Sequence, residues 1–159
     1  MAPAIQLIPT RESDLDFVTS AEAAAENSAF VSVQPRSEHV AYLRHPDVAH
    51  FIVHADHTAR PAGYVIVAGL QRDDRVLEIK RIVITEKGLG IGHATLQAVK
   101  RYAFETHGAH RLWLDVMETN ARARHLYAAE GFKEDGTVRE GDDLLIIMTF
   151  EMLQAVKES

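Results

Sequence analysis

The 159-residue sequence contains no cysteine. That excludes disulfides, zinc–thiolate sites and a cysteine nucleophile, and it fits a reducing compartment. Runs of basic residues are also missing, and the formal charge is −6 at pH 7. Nucleic-acid binding relies on Lys and Arg to neutralise phosphates, so no nucleic-acid partner is expected. No stretch approaches the ~20 consecutive apolar residues of a membrane span. Met1-Ala2-Pro3-Ala4-Ile5 lacks the basic and apolar segments of a secretory signal. A cytoplasmic protein that does not associate with membranes is the expectation. What is present is ordinary for a globular chain: 47% hydrophobic and 25% charged residues. That supports one domain over residues 1–159, large enough to bury a core unaided.

Residues 5–7 read as a short strand closed by Pro9. Thr10 to Ser13 offer helix caps, and Leu15, Phe17, Val18, Ala21 and Ala25 recur at helical spacing. Ser37 begins a second short helix through Leu43, ended by His45-Pro46. Residues 49–55, 63–70 and 76–85 are rich in β-branched residues, and the short turns between them predict an antiparallel meander. Ile91, Thr95, Ala98, Val99, Tyr102 and Ala103 form one helical stripe, with His93, Gln97, Lys100 and Arg101 opposite. A strand over 110–117 and a helix over 121–130 follow. Residues 134–136 read as a turn, and 144–152 as the last strand. Strands first, then strand–helix–strand–helix–strand, predict one mixed sheet covered by helices.

The segment Lys87-Gly88-Leu89-Gly90-Ile91-Gly92 lies between a strand and a helix. Glycine there exposes backbone N–H groups, and the helix start carries positive dipole character, so a phosphate is a plausible occupant. A Walker A loop needs Lys-Ser or Lys-Thr after its last glycine, whereas His93-Ala94 follow Gly92. The Rossmann fingerprint needs Gly or Ala at its sixth position, where this chain has His93 or Thr95. Both patterns fail, leaving basic-x-x-Gly-x-Gly. Downstream stand Asn120, Ala123, Leu126-Tyr127 and Gly131-Phe132.

These two spaced motifs resemble the Q/R-x-x-G-x-G/A loop and the N-x-x-A-x-x-L-Y-x-x-x-G-F motif of the GNAT superfamily of N-acetyltransferases. Trp113-Leu114-Asp115-Val116 and residues 134–140 resemble its branch of ribosomal-protein N-terminal acetyltransferases. Lys87 stands where the superfamily prefers Gln or Arg, keeping charge but losing a bidentate fork. The resemblance implies a mixed, mostly antiparallel twisted sheet of six to seven strands flanked by about four helices. It implies acetyl-coenzyme A as cosubstrate, with no metal, and direct transfer of an acetyl group to a primary amine on an unidentified acceptor. By the same resemblance the pyrophosphate would meet Lys87, Gly88, Leu89, Gly90, Ile91, Gly92, His93 and Ala94, with Asn120 as a further contact. Ile82, Val83 and Ile84 would pair with the pantetheine arm. A homodimer through the sheet is compatible with the family. The alternative is a non-catalytic acyl-coenzyme A-binding or regulatory module on the same fold.

Three residues are candidates for the chemistry. A tyrosine, with an ordinary pKa of about 10, is protonated at neutral pH and so offers Tyr127 as the acid for a departing thiolate. Its alternative role is ring packing on its helix. For a base, Glu78 counts onto the same strand face as Lys80 and Ile82 by alternation, and Asp115 lies on the next strand. Glu78 ranks slightly ahead. A solvated strand charge and a loop-ordering carboxylate are the ordinary roles of these two. Asn120 is expected to cap the last helix, and Arg122 and Arg124 to meet phosphates or solvent. His50, His54 and His57 are too weakly patterned for a metal site. Residues 26–43 and 134–143 are where such a fold would contact its acceptor.

Overall fold

The computed structural model describes residues 3–24, 27, 30–55 and 61–152. Ala25 and His57 lie outside these. Seven strands form one sheet in the order β1-β2-β3-β4-β5-β7-β6. They are β1 (Ile5–Pro9), β2 (Val48–Ala55), β3 (Pro61–Ala68), β4 (Val76–Ile84), β5 (Arg111–Met117), β6 (Lys133–Glu140) and β7 (Asp143–Glu151). All neighbours are antiparallel except β4 and β5. Four α-helices are described: α1 (Leu15–Ala23), α2 (Arg36–Arg44), α3 (Ile91–Arg101) and α4 (Ala121–Ala129). The mixed, mostly antiparallel sheet flanked by helices agrees with the sequence expectation.

The sheet buries apolar side chains on both faces. On one, Leu77, Ile79, Leu112 and Leu114 join Leu96 and Val99 of α3 and Tyr127 of α4. On the other, Ile52, Tyr64, Ile66 and Val83 meet Leu15, Val18 and Ala21 of α1, with Val40 and Leu43 of α2 alongside. Helix α3 crosses from β4 to β5, the kind of connection a parallel pair requires. Its polar face is tied to the end of α4. Glu130 takes His93 Nδ1 at 2.9 Å and Lys100 Nζ at 3.1 Å on its carboxylate, and its backbone carbonyl takes Lys100 at 2.8 Å. Burial works against the Glu130 charge, but these bonds outweigh it and hold the carboxyl below its ordinary pKa.

Two expectations need correction. Residues 134–136 form no turn; they belong to β6, whose pairing with β7 shifts between Glu134 and Gly136. The acidic–glycine composition that suggests a turn instead builds a bulge, with Gly136 at φ +139°. The hairpin reverses at Gly141, φ +61°. The second correction concerns β4. Val67 opposes Ile79 and Ile66 opposes Arg81, so Lys80 is an extra residue. Side-chain alternation slips by one there. Ile82 and Ile84 therefore stay on the face of Leu77 and Ile79, whereas Val83 turns to the α1 face. Glu78 does not share a face with Ile82, because period-2 counting cannot see a bulge.

Candidate active site

β4 and β5 pair at three positions only: Val76–Arg111, Leu77–Leu112 and Glu78–Trp113. Beyond Glu78 the two strands separate. β4 remains paired to β3 as far as Ile84, and β5 to β7 as far as Met117. The β5-facing edge of residues 79–84 is thus left without a strand partner, an arrangement that accepts an extended ligand as an added strand. The gap is a cleft of about 1010 Å³.

One end of the cleft is the glycine loop. Gly88 and Gly90 have φ of +84° and +77°, the left-handed conformation that glycine adopts without strain. Gly90 precedes α3, and the first bond of the helix runs from Ala94 N–H to Gly90 C=O at 3.2 Å. The N–H groups of Ile91, Gly92 and His93 come before it and have no carbonyl one turn back. A Cβ at Gly92 would lie 3.0 Å from Leu126 Cδ2, so this glycine lets α3 approach α4. Lys87 Nζ sits 2.6 Å from the Ile84 carbonyl, bringing its charge to the junction of loop and strand.

The lateral wall is α4. Asn120 caps it as expected, its Oδ1 accepting Ala123 N–H at 3.2 Å. Tyr127 lines the cleft at 7% exposure. Among the described residues none hydrogen-bonds its hydroxyl. Burial, with the Asp115 charge second, pushes the phenol well above its ordinary value. Asp115 lines the cleft from β5, and Glu140 and Asp143 lie at its rim. The Asp115 carboxyl is raised by burial first and by Glu140 second, against the pull of Lys80. The far wall is formed by Phe30, Val31, Ser32 and Arg81.

The acetyltransferase (GNAT) family model matches residues 18–132. The chain belongs to that family. Proteins of Mycobacterium tuberculosis H37Rv and Mycobacterium bovis, both described as uncharacterized N-acetyltransferases, are 36% identical over 98 residues. Those matches span 60% of this chain and 60% of the mycobacterial proteins. The fold is similar to that of a Vibrio cholerae spermidine N-acetyltransferase in complex with CoA and spermine. There the TM-score is 0.79 at 18% identity, covering 92% of this chain and 95% of the other. An aminoglycoside acetyltransferase in complex with coenzyme A superposes with a TM-score of 0.81 at 19% identity, covering 98% and 99%.

Within this GNAT fold the sequence-derived residues fall into groups. Ile82, Val83, Ile84, Lys87, Gly88, Gly90, Gly92, His93 and Asn120 all line the cleft. Leu89 points outward at 53% exposure and the Ile91 side chain is buried, leaving those positions only their backbone amides, while Ala94 is buried and its N–H already bonds the Gly90 carbonyl. Asp115 and Tyr127 line the cleft; Glu78 is not among the residues lining it. Arg122 lines the cleft, whereas Arg124 is used structurally, bonding the Glu118 carbonyl at 3.0 Å and Glu134 at 2.8 Å. The remaining acidic residues of 134–143 divide similarly: Asp135 accepts Thr149 Oγ1 at 3.2 Å.

Sequence reasoning missed a buried polar cluster behind the far wall. The Glu22 carboxylate is fully buried and accepts Tyr64 Oη–H, His39 Nε2 at 3.0 Å, Gln34 N–H at 3.1 Å and Arg81 Nη1 at 3.4 Å. Burial opposes its charge, yet the donors from His39, Tyr64 and Gln34 hold its pKa below the ordinary value. One signal was available. Glu22 is seven residues after Leu15, on the apolar stripe of α1, where a charge demands partners. The partners themselves, at 39, 64 and 81, carry no local signature. His50 joins this cluster; among the described residues no group of three His, Asp or Glu is placed to hold a metal.

Proposed function

We propose that the protein transfers an acetyl group from acetyl-coenzyme A directly to a primary amine. The parting of β4 from β5 after Glu78 and Trp113 carries this reading. It leaves a strand edge for the pantetheine amides, with the loop N–H groups at one end for the pyrophosphate and the Tyr127 hydroxyl beside the junction. Donor set and ligand chemistry agree: pantetheine needs alternating N–H and C=O partners, and pyrophosphate needs N–H groups and positive charge. Lys87 and Arg122 supply the charge. The cosubstrate, when bound, supplies an activated acetyl group as a thioester.

The chain's own groups divide the remaining work. A β4 edge N–H is placed to polarise a carbonyl oxygen in the cleft. Asp115, directly or through one water, takes the proton the amine must lose; its raised pKa makes it a stronger base than an ordinary aspartate. An α-amine with pKa near 7.7–8.0 needs less help than a lysine amine near 10.4. Tyr127 attends the sulfur. Handing over its proton completely is uphill, since a thiol (about 8.5) is a stronger acid than even an unperturbed tyrosine (about 10), by about 2 kcal/mol. Burial widens that gap. Tyr127 therefore acts as a hydrogen-bond donor to sulfur while the C–S bond breaks, and the sulfur's final proton is the one released by the amine.

The acidic rim of Asp115, Glu140 and Asp143 favours a cationic amine. The structurally similar enzymes include one with spermine bound and one named for aminoglycosides, both polycationic acceptors. The test is thiol release from acetyl-coenzyme A against a panel of polyamines, aminoglycosides and peptide N-termini, with acetylated product identified by mass. Acceptor-dependent release supports transfer. Tight coenzyme binding without any acceptor would instead establish a non-catalytic acyl-coenzyme A-binding module.

A further inference from the structure

Arg81 is the residue the mechanism leaves unused, and the bulge at Lys80 is what brings it into play. By turning Arg81 onto the α1 face, the bulge sets its guanidinium between two walls. Nη1 donates to the Ser32 carbonyl at 2.7 Å and toward Glu22 Oε2 at 3.4 Å; Nη2 donates to Ser32 Oγ at 2.7 Å. The arginine is mostly buried, with 12% of its side chain exposed, and Glu22 behind it is fully enclosed. Glu22 also takes the Gln34 N–H at 3.1 Å. One carboxylate and one guanidinium therefore grip the segment 32–34 at two points. Ser32, with Phe30 and Val31 before it, lines the cleft together with Arg81.

We propose that Arg81 is a positioning residue for the amine acceptor, holding the 30–34 wall through Ser32 while Glu22 anchors both. This rests on the acetyl-transfer reading above. The physical case is one of geometry and charge. Phe30 and Val31 N–H bond the Asn27 carbonyl at 2.9 Å, but residues 32–34 lie outside any helix or strand and are held by side-chain partners. Here those partners are ionic and the anion is buried, so the grip is strong and directional. Glu22 stays anionic because each of its neighbours donates, and Arg81 supplies the balancing charge. The glycine loop and α4 are separate elements, and the backbone of β4 stays paired to β3 whatever side chain stands at 81, so loosening the wall leaves the coenzyme end intact.

Arg81→Ala, Arg81→Lys and Ser32→Ala test this, with spermine as the acceptor probe and coenzyme A binding measured by calorimetry. Arg81→Ala is expected to raise the spermine KM at least tenfold with kcat within threefold and the coenzyme Kd within twofold. Arg81→Lys, which keeps the charge without the fork, recovers part of that loss, and Ser32→Ala raises KM a few-fold. Amide exchange over 30–34 rises at least tenfold in Arg81→Ala, with Gln34 the specific reporter. Unchanged exchange overturns the proposal, as does coenzyme affinity falling in step with the rise in KM. Should the wild type not acetylate spermine, exchange alone decides. A wild type that binds no coenzyme A sinks the functional reading and leaves the clamp to the exchange result.

Discussion

His39 Nε2 lies 3.0 Å from Glu22 Oε2, with both side chains fully buried. A chain of polar contacts runs on from this pair. With His39 Nε2–H donating to the carboxylate, the other ring nitrogen, Nδ1, meets His50 Nε2 at 3.2 Å. His50 Nδ1 in turn meets Thr10 Oγ1 at 2.9 Å. The chain of contacts joins Thr10, His50, His39 and Glu22, so each ring nitrogen of the two imidazoles has a polar partner.

That arrangement makes stability depend on pH. His50 is pushed down from 6.5 to about 4 by burial first and by His39 second. Between those values the unfolded chain holds a proton that the folded chain does not, so stability falls as pH drops from 6.5 to 4. The full loss is about 3 kcal/mol. Glu22 adds in the same direction at lower pH, because its folded pKa is depressed: its contribution is present above the ordinary carboxylate value and lost as pH falls through the folded one. Urea denaturation at pH 7, 6, 5 and 4.5 is expected to trace this slope, and His50→Gln to flatten it above pH 5.

Tyr127→Phe separates function from packing. Its side chain is only 7% exposed and lines the cleft, and its hydroxyl has no hydrogen-bond partner among the described residues, so removing it costs no native bond. Stability should be unchanged or slightly higher, and coenzyme affinity within twofold, while turnover drops on the order of 100-fold. Equal turnover in the two proteins would remove Tyr127 from the mechanism.

The two carboxylates are distinguished by pH–rate profiles of Asp115→Asn and Glu78→Gln. A base works deprotonated, so activity fails as pH falls through its pKa. That pKa lies above the ordinary value for Asp115 because of burial and Glu140. Glu78 is raised too, by burial first and by Asp115 against the pull of Lys80, but it does not line the cleft. Asp115→Asn should abolish the acidic limb and Glu78→Gln should leave it in place.

Two glycines give opposite expectations. A Cβ at Gly63 would meet the Val83 carbonyl oxygen at 2.3 Å, a backbone atom that cannot move without breaking the β3–β4 ladder. Gly63→Ala is expected to cost about 3 kcal/mol or more. At Gly88 nothing lies within 4 Å and only the positive φ opposes a side chain, so Gly88→Ala should cost about 1 kcal/mol. Urea midpoints of the two variants check the contrast.

Much of this protein was legible in the linear sequence. Hydrophobic periodicity placed the helices and meander, because burial imposes the same spacing wherever an element meets a core. The glycine loop and the Asn120–Tyr127 motif marked two walls of the cleft, because positive-φ backbone and a helix cap are local requirements written in neighbouring residues. Residues 134–136 and the face of Glu78 were misread for a single reason. A bulge adds one residue to a strand, and its presence depends on the partner strand's register, which sequence alone does not contain.

The donor chemistry and the order of elements were therefore set by the sequence itself. The tertiary structure decided which carboxylate faces the cleft, that β4 and β5 part after three pairs, and that Glu22, His39, His50, Tyr64 and Arg81 share one buried cluster. Those outcomes join residues up to 59 positions apart, as Arg81 and Glu22 are. A buried charge fixes that it must be paired, but only the packed chain fixes with what.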